Sequence, residues 1–198
     1  MRKLKLEIQM SIDGFIADPA GNMNWMVWPY NNHWVWDEEL RRYHTDLVTS
    51  SDCILLSRKM AEDGFINHWE DIARHPLNPQ AVFAKPVAEM QKIVFTTTLT
   101  KSMWKNTEIA KGNFIDKIKE LKNQKGKDLI VYGGATFVSS LIKSNLIDEL
   151  HLLINPTAIG KGLTIFKGSK SKKYFRLIKS KSFDCGVVLL HYESVLKD

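Results

Sequence analysis

Hydrophobic and polar residues alternate along the first part of the chain. The apolar positions are Leu4, Leu6, Ile8, Met10 and Ile12, and the positions between them are Lys3, Lys5, Glu7, Gln9 and Ser11. A period of two is typical of a β-strand with one buried face. The pattern therefore predicts a strand over residues 4–12, which ends in the turn-forming pair Asp13-Gly14.

Short apolar runs and segments with helical spacing alternate through the rest of the chain. Strands are predicted over 53–57, 92–98, 128–132, 146–156, 174–183 and 187–195, and helices over 37–48, 81–90, 113–124 and 135–144, with a helical turn over 58–65 and a polar connection over 70–86. This order indicates an α/β fold with a largely parallel sheet that ends in an antiparallel hairpin. Because the sequence has neither an internal repeat nor a linker, we expect one domain over residues 1–198.

Composition is typical of a globular protein, with 44% hydrophobic and 25% charged residues in 198. Cys53 and Cys185 are far apart in sequence, each in an apolar run. We interpret them as buried thiols rather than a disulfide, which favours a reducing, cytoplasmic compartment. No apolar run approaches the length that crosses a bilayer, so no membrane association is predicted.

The formal net charge of +6 favours anionic partners, which include nucleic acids, phosphorylated substrates and nucleotide cofactors. The lysines are scattered, with modest clusters over 167–173 and 179–181. Scattered lysines are typical of a solvated surface, so we do not expect nucleic-acid binding and favour a small-molecule substrate.

The segment "DLIVYGGATFVSSLIKS" leads from a buried strand through Gly133-Gly134 directly into a helix. The free N–H groups at such a helix start favour a phosphate, and glycines permit its close approach. A tight strand-to-helix turn without a ligand is the alternative. The spacing matches neither the dinucleotide motif GxGxxG nor a P-loop.

Five segments occur in an order that resembles a known family: "SIDGFIA", "LLSRKMAE", "KIVFTTTL", "VYGGATFVSSLIKSNLIDEL" and "PTAIGKGLTIF". The chain resembles the dihydrofolate reductase-like superfamily, in the branch that includes the reductase domain of bacterial riboflavin biosynthesis. The resemblance implies a twisted, mainly parallel sheet flanked by helices, with NADPH bound across the carboxyl ends of the strands. It also implies hydride transfer to a C=N or C=O carbon, and a homodimer formed through the C-terminal strands.

Individual residues of those segments match the family's cofactor-binding positions. The resemblance assigns Ile16 and Ala17 to the nicotinamide, Arg58 to the adenosine phosphate, Thr97 and Thr98 to the adenosine side, and Gly133, Gly134, Ala135 and Thr136 to the pyrophosphate. Ser57, next to Arg58, is also a candidate cofactor-binding residue. Trp25 resembles the loop tryptophan that follows the first strand in dihydrofolate reductases.

Two departures from the family pattern leave alternatives open. The family commonly has Gly-Arg-Lys-Thr where this chain has Ser57-Arg58-Lys59-Met60, and methionine offers a phosphate no hydroxyl. A nucleotide-binding protein of the same fold without catalysis is therefore one alternative. A dihydrofolate reductase is another, for which Asp37 and Glu38 are the candidate catalytic carboxylates beyond an aromatic insertion.

Three further features concern substrate and metal binding. Asp13 either caps the turn after the first strand or orients an amine or hydroxyl of the substrate. Trp25 and Trp28 begin an aromatic loop that either packs in the core or stacks on a flat heterocycle. His68-Trp69-Glu70 matches H-x-E without a following P-C-x-x-C, so we predict no metal site.

Overall fold

The computed structural model describes residues 1–27, 36–168 and 172–195. Within them the strands are β1 (Leu4–Ser11), β2 (Ser51–Ser57), β3 (Gln91–Phe95), β4 (Thr107–Ala110), β5 (Asp128–Val131), β6 (Glu149–Asn155), β7 (Tyr174–Ser182) and β8 (Val188–Val195). They form one sheet in the order β4-β3-β2-β5-β1-β6-β8-β7. β8 is antiparallel to both of its neighbours, whereas the other described pairs are parallel.

The helices are α1 (Glu38–Thr49), α2 (Arg58–Glu62), α3 (Phe65–Ala73), α4 (Ala81–Glu89), α5 (Phe114–Asn123) and α6 (Ala135–Lys143). From β2 to β6, helices connect successive strands except between β3 and β4, and the chain ends in the β7–β8 hairpin. The predicted α/β fold class with a C-terminal antiparallel hairpin is confirmed. Across the described ranges, we find no helix with the length and apolar character that a membrane span requires.

Contacts within the chain divide it into two compact units, residues 1–4 with 42–134 and residues 5–41 with 135–198. The prediction of one domain over 1–198 stays a prediction. In the first unit, β2, β3 and β4 are parallel and in register, with Ser57 opposite Phe95 and Phe95 opposite Ala110. Their carboxyl ends therefore lie at one edge of the sheet, together with that of β5, which is parallel to β2.

In the second unit, β1 and β6 are parallel, so that Ser11 at the end of β1 lies opposite Asn155 at the end of β6. β8 runs antiparallel to β6, with His151 directly opposite His191. The segments after Ser11 and Asn155 thus leave the sheet at the same edge.

β1 differs from its prediction on one point. Its apolar residues are buried, but so are Lys5, Glu7 and Gln9 on the other face, and Glu7 is only 4% exposed. The expectation of a single buried face was wrong. β1 lies between β5 and β6 in the sheet, and strands inside a mainly parallel sheet are covered on both faces.

Most of the other predicted elements are present with shifted ends. The helix predicted over 81–90 is confirmed as α4, but the polar connection predicted from residue 70 was wrong at its start, because α3, which was not predicted, extends to Ala73. β4 was not predicted, since its sequence TEIA has no apolar run like the one in β5. Asn145, two residues after the end of α6, has a left-handed φ of 53°, which is typical of the C′ position that ends a helix.

Lys92 is a fully buried charged residue at the start of β3. Its Nζ donates to the carbonyls of Ala88 and Met90 at 2.7 and 2.9 Å, where α4 ends. Burial lowers the pKa of this ammonium group to about 8. The two hydrogen bonds stabilise the charged form of Lys92, whereas the apolar surroundings destabilise it.

Lys92→Met is expected to remove a pH dependence of stability. Lys92 has a lower pKa in the folded chain than in the unfolded chain, so between about pH 8 and 10.5 the unfolded chain binds more protons. Over that range, the free energy of unfolding should rise by up to about 3 kcal/mol in the parent relative to the variant. Urea unfolding at pH 7, 8.5 and 10 measures this difference, and Lys119→Met, at an exposed lysine, is the control.

Candidate active site

The turn after β1 is held together by the side chains of Ser11 and Asp13. Ser11 Oγ donates to Asp13 Oδ1 at 2.6 Å and accepts from Phe15 N at 3.0 Å, while Ser11 N donates to Phe15 O at 2.8 Å. Gly14 has a φ of 86°, which a turn of this kind requires and other residues rarely adopt. The chain therefore reverses tightly within four residues of the end of β1.

The Asp13 carboxylate also holds the segment after β6. It accepts hydrogen bonds from Gly160 N at 2.7 Å and from Ile159 N at 3.2 Å. The hydrogen bond from Ser11 contributes most to lowering the pKa of Asp13, and those from Gly160 and Ile159 lower it further. At neutral pH, Asp13 is therefore an exposed, ionised acceptor that joins two loops at one edge of the second unit.

Ile16 and Ala17 form a short antiparallel bridge with Leu163. Ile16 N donates to Leu163 O, and Leu163 N donates to Ala17 O, each at 2.8 Å. Both residues are buried, yet the Ile16 C=O and the Ala17 N–H make no hydrogen bond to another described residue. One acceptor and one donor thus remain on neighbouring buried residues, a pattern that a ligand amide can complement.

Gly162 lies against this bridge. A Cβ built on Gly162 would be 2.2 Å from the Ala17 carbonyl oxygen, so a side chain at this position cannot be accommodated without moving the backbone. Lys161 is exposed, as expected for a lysine in a solvent-facing turn. The close approach of the two loops explains Gly162, whereas Gly160 is explained by its left-handed φ of 74°.

Trp25 and Val27 are held at the end of β6. Asn155 is fully buried; its Oδ1 accepts from Val27 N at 2.6 Å and its Nδ2 donates to Gln9 Oε1 at 3.1 Å. Thr157 Oγ1 donates to Trp25 O at 3.3 Å. The Nε1 of Trp25 is buried and has no acceptor among the described residues. Trp28 lies outside the described residues.

The two candidate carboxylates beyond the aromatic loop lie at the start of α1. Asp37 Oδ1 accepts from Leu40 N at 2.8 Å and Oδ2 from Cys185 N at 3.2 Å. Burial raises the pKa of Asp37, but these hydrogen bonds outweigh it and leave the pKa below its usual value. Asp37 is thus the N-cap of α1, and Glu38 is exposed in the first turn.

Ser57, Arg58, Thr97 and Thr98 lie where β2 and β3 end, at one edge of the first unit. Ser57 Oγ already accepts from Met60 N at 3.2 Å as the N-cap of α2. Arg58 pairs with Glu62 at 2.6 Å, and both side chains are partly exposed. Such a surface ion pair contributes little to stability, so the guanidinium can exchange partners for a phosphate. Thr97 and Thr98 are exposed.

The turn from β5 to α6 contains Gly133, Gly134, Ala135 and Thr136. Gly134 has a φ of 81°, which requires glycine. The N–H groups of Gly134, Ala135 and Thr136 make no hydrogen bond to another described residue. Three neighbouring backbone donors at the positive end of a nine-residue helix can bind an anion.

The structure thus brings Asp13, Ile16 and Ala17 together with the segment 155–163 in the second unit, and Ser57, Arg58, Thr97 and Thr98 together in the first. Asn155, Gly162 and Leu163 were missed by the sequence analysis as positioning residues. The only sequence signal was the pair of glycines around Lys161, which indicates a turn but not the loop against which it packs.

Two comparisons with known proteins give matches over nearly the whole chain. The family model described as "RibD C-terminal domain" matches residues 2–189. The uncharacterized protein YyaP of Bacillus subtilis is 27% identical over 193 residues, which cover 96% of this chain and 94% of that protein.

Solved structures share the fold, among them the following two. A putative riboflavin biosynthesis protein from Shewanella sp. PV-4 has a TM-score of 0.69 at 22% identity, covering 98% of this chain and 99% of that one. A diaminohydroxyphosphoribosylaminopyrimidine deaminase/5-amino-6-(5-phosphoribosylamino)uracil reductase from Thermotoga maritima has a TM-score of 0.67 at 17% identity, covering 98% of this chain and 57% of that one. The fold is that of the riboflavin-biosynthesis-type reductases.

Proposed function

Because the chain belongs to the RibD C-terminal domain family, we propose that it is an NADPH-dependent reductase. The substrate is a small heterocyclic or ribosylamine-type compound, of the kind named for the uracil reductase of Thermotoga maritima. The observation that carries the proposal lies at the start of α6. There the backbone N–H groups of Gly134, Ala135 and Thr136 make no hydrogen bond to another described residue. A cytoplasmic location, where NADPH is available, is part of the proposal.

The residues fit the phosphates of NADPH. The N–H groups of Gly134 to Thr136 would bind the pyrophosphate through hydrogen bonds and the dipole of α6. Arg58 would bind the adenosine phosphate by leaving Glu62, and the exposed Thr97 and Thr98 would contact the adenosine side.

The residues also fit the nicotinamide. The NH₂ group of its carboxamide can donate to the Ile16 C=O, and the carboxamide oxygen can accept from the Ala17 N–H. When bound, NADPH supplies a hydride for a C=N or C=O carbon, and a proton completes the reduction.

The protein's own residues hold and orient the reactants. Ser11 and Asp13 fix the turn after β1 against the segment 159–160, and Gly162 allows that segment to reach Ala17. The ionised Asp13, still exposed, can accept a hydrogen bond from an amine or hydroxyl of the substrate. Trp25 offers a flat apolar face and a buried N–H for the heterocycle.

A nucleotide-binding protein of the same fold without catalysis is the second candidate. Its support is local: the Ser57 hydroxyl is already bonded to Met60 N, and Met60 has no hydroxyl for a phosphate. A dihydrofolate reductase receives less support, because Asp37 accepts hydrogen bonds from Leu40 N and Cys185 N and acts as a helix cap.

NADPH titration followed by tryptophan fluorescence, together with NADPH oxidation in the presence of ribosylaminopyrimidine substrates, tests the proposal. Binding with turnover supports the reductase. Binding without turnover on any such substrate favours the second candidate, and no binding at millimolar NADPH contradicts both.

Thr136→Asp is expected to weaken NADPH binding at least about tenfold. The new carboxylate lies where the pyrophosphate is proposed to bind and repels it. The fold should persist, because an acidic residue in the first turn stabilises a helix. Asn78→Asp is the matched control: it makes the same change of charge in the turn before α4 and keeps the acceptor for Gln80 N. Equal affinities of both variants for NADPH would contradict the assignment of this turn.

We also propose that the protein is a homodimer. β7 is the last strand of the sheet order and carries the half-exposed apolar residues Tyr174, Leu177 and Ile178. An exposed strand of this kind is usually protected by pairing or cover. Sedimentation analysis should detect a dimer that Leu177→Lys dissociates, whereas Leu77→Lys, at an exposed leucine before α4, leaves it intact.

A further inference from the structure

Glu149, His151 and His191 form a side-chain cluster on one face of the sheet in the second unit. Glu149 and His151 are two residues apart on β6, and His191 is directly opposite His151 on β8. One potential ligand atom from each residue lies within 4.8 Å of the other two. The sequence analysis predicted no metal site, because the two histidines are forty positions apart and only the strand pairing joins them.

The distances within the cluster fit a tetrahedral ion. His151 Nε2 lies 3.3 Å and His191 Nε2 lies 3.6 Å from Glu149 Oε2. Two ligand atoms on a tetrahedral Zn²⁺ with bonds of about 2.0–2.1 Å are roughly 3.3 Å apart. The two imidazole rings are stacked at 4.1 Å with an interplanar angle of 20°, so a modest ring tilt would direct both Nε2 atoms at one ion.

Burial and charge also favour a cation at this place. The side chains of His151, Glu149 and His191 are 4%, 12% and 17% exposed. On the same face, β1 contributes the buried Glu7 opposite His151 and the buried Lys5 opposite Glu149. Glu193 on β8, opposite Glu149, forms an ion pair with Arg176 on β7, and Lys179 on β7 lies opposite His191. The feature that favours a cation is therefore the poorly hydrated Glu149 carboxylate beside the two imidazoles.

We propose that Glu149, His151 and His191 bind a divalent transition-metal ion of the Zn²⁺ type, with a fourth position for water. Two imidazoles and one carboxylate are a ligand set that such ions prefer. His151 precedes Asn155, at the active-site end of β6, by four residues, or roughly 13 Å along the strand. The ion is therefore structural: it joins β6 to β8 across the pair His151–His191, and it is independent of the proposed reductase activity.

Calorimetric titration of EDTA-treated protein with Zn²⁺, and visible absorption after addition of Co²⁺, test this proposal. We expect one ion per chain, a tetrahedral Co²⁺ spectrum and a rise in melting temperature with Zn²⁺. Glu149→Gln and His191→Gln should each lower the affinity for Zn²⁺ roughly 100-fold.

His75→Gln is the matched control, since His75 is an exposed histidine on the turn after α3 that can bind ions adventitiously. It should leave stoichiometry, spectrum and melting temperature unchanged. Absence of binding at micromolar Zn²⁺, an octahedral Co²⁺ spectrum, or binding removed by His75→Gln rather than by His191→Gln would overturn the proposal. The Co²⁺ spectrum of the parent protein decides the question even where a variant does not fold.

Discussion

Gly162→Ala is expected to lower the free energy of unfolding by about 3 kcal/mol and reductase activity at least about 100-fold. The added methyl group would lie 2.2 Å from the Ala17 carbonyl oxygen and 3.0 Å from Phe15 Cβ. The obstacle at Ala17 is a backbone atom that accepts a hydrogen bond from Leu163 N. Relief of the clash therefore separates the two loops and displaces the residues proposed to bind the nicotinamide.

Gly160→Ala separates this steric effect from the general cost of removing a glycine. Gly160 has a φ of 74°, but no atom lies within 4 Å of the position of its Cβ. Its replacement should cost only the strain of a left-handed residue, about 1 kcal/mol. Urea unfolding and steady-state kinetics of the two variants measure the difference. Equal losses of stability and activity would show that the loops do not approach as closely as described.

Asn155→Ala is expected to cost about 3 kcal/mol of stability, the second large effect. The fully buried side chain accepts from Val27 N and donates to Gln9 Oε1 and Leu153 O. Removing it leaves a buried N–H and a buried amide oxygen without partners, which costs more than the lost bonds themselves. Because Trp36 Nε1 donates to Val27 O, the fluorescence of Trp36 in the folded variant should also differ from that in the parent.

Asn78→Ala provides the comparison for Asn155→Ala. Asn78 also accepts one backbone hydrogen bond through its side chain, from Gln80 N, but in a partly exposed turn where water can replace it. Its loss should cost about 1 kcal/mol or less. Urea unfolding gives both values. Similar costs for the two asparagines would mean that burial of the Asn155 network contributes nothing.

The fold was largely predictable because hydrophobic periodicity is a local property. The strand at residues 4–12, the helix with Phe114, Ile118 and Leu121, and the C-terminal hairpin were identified from spacing alone. β4 was missed because its sequence TEIA contains no apolar run, unlike the equally short β5. The burial of Lys5, Glu7 and Gln9 was missed because a polar side chain in a strand gives no local sign of which elements cover it.

The candidate site was predictable only in part. Gly133-Gly134 at a strand-to-helix turn indicated an anion site. In the structure, the backbone N–H groups of this turn make no hydrogen bond to another described residue. Asp13 was predicted either to cap a turn or to contact substrate, and the structure gives its carboxylate a part in the turn and in holding the segment 159–160. The role of Asn155 was not predicted, because an asparagine after an apolar run is typical of an ordinary strand end.

The sequence by itself determined the α/β order of elements, the strand-to-helix glycine turn and the family to which the chain is similar, since these depend on residues close together in the chain. The tertiary structure alone decided which distant residues meet: Asp13 with Gly160, Ala17 with Leu163, Asn155 with Val27, and His151 with His191. The physical reason is that side-chain spacing encodes which surface of an element is apolar. The partner of a polar group is set instead by strand order and register, which arise only when the sheet is assembled.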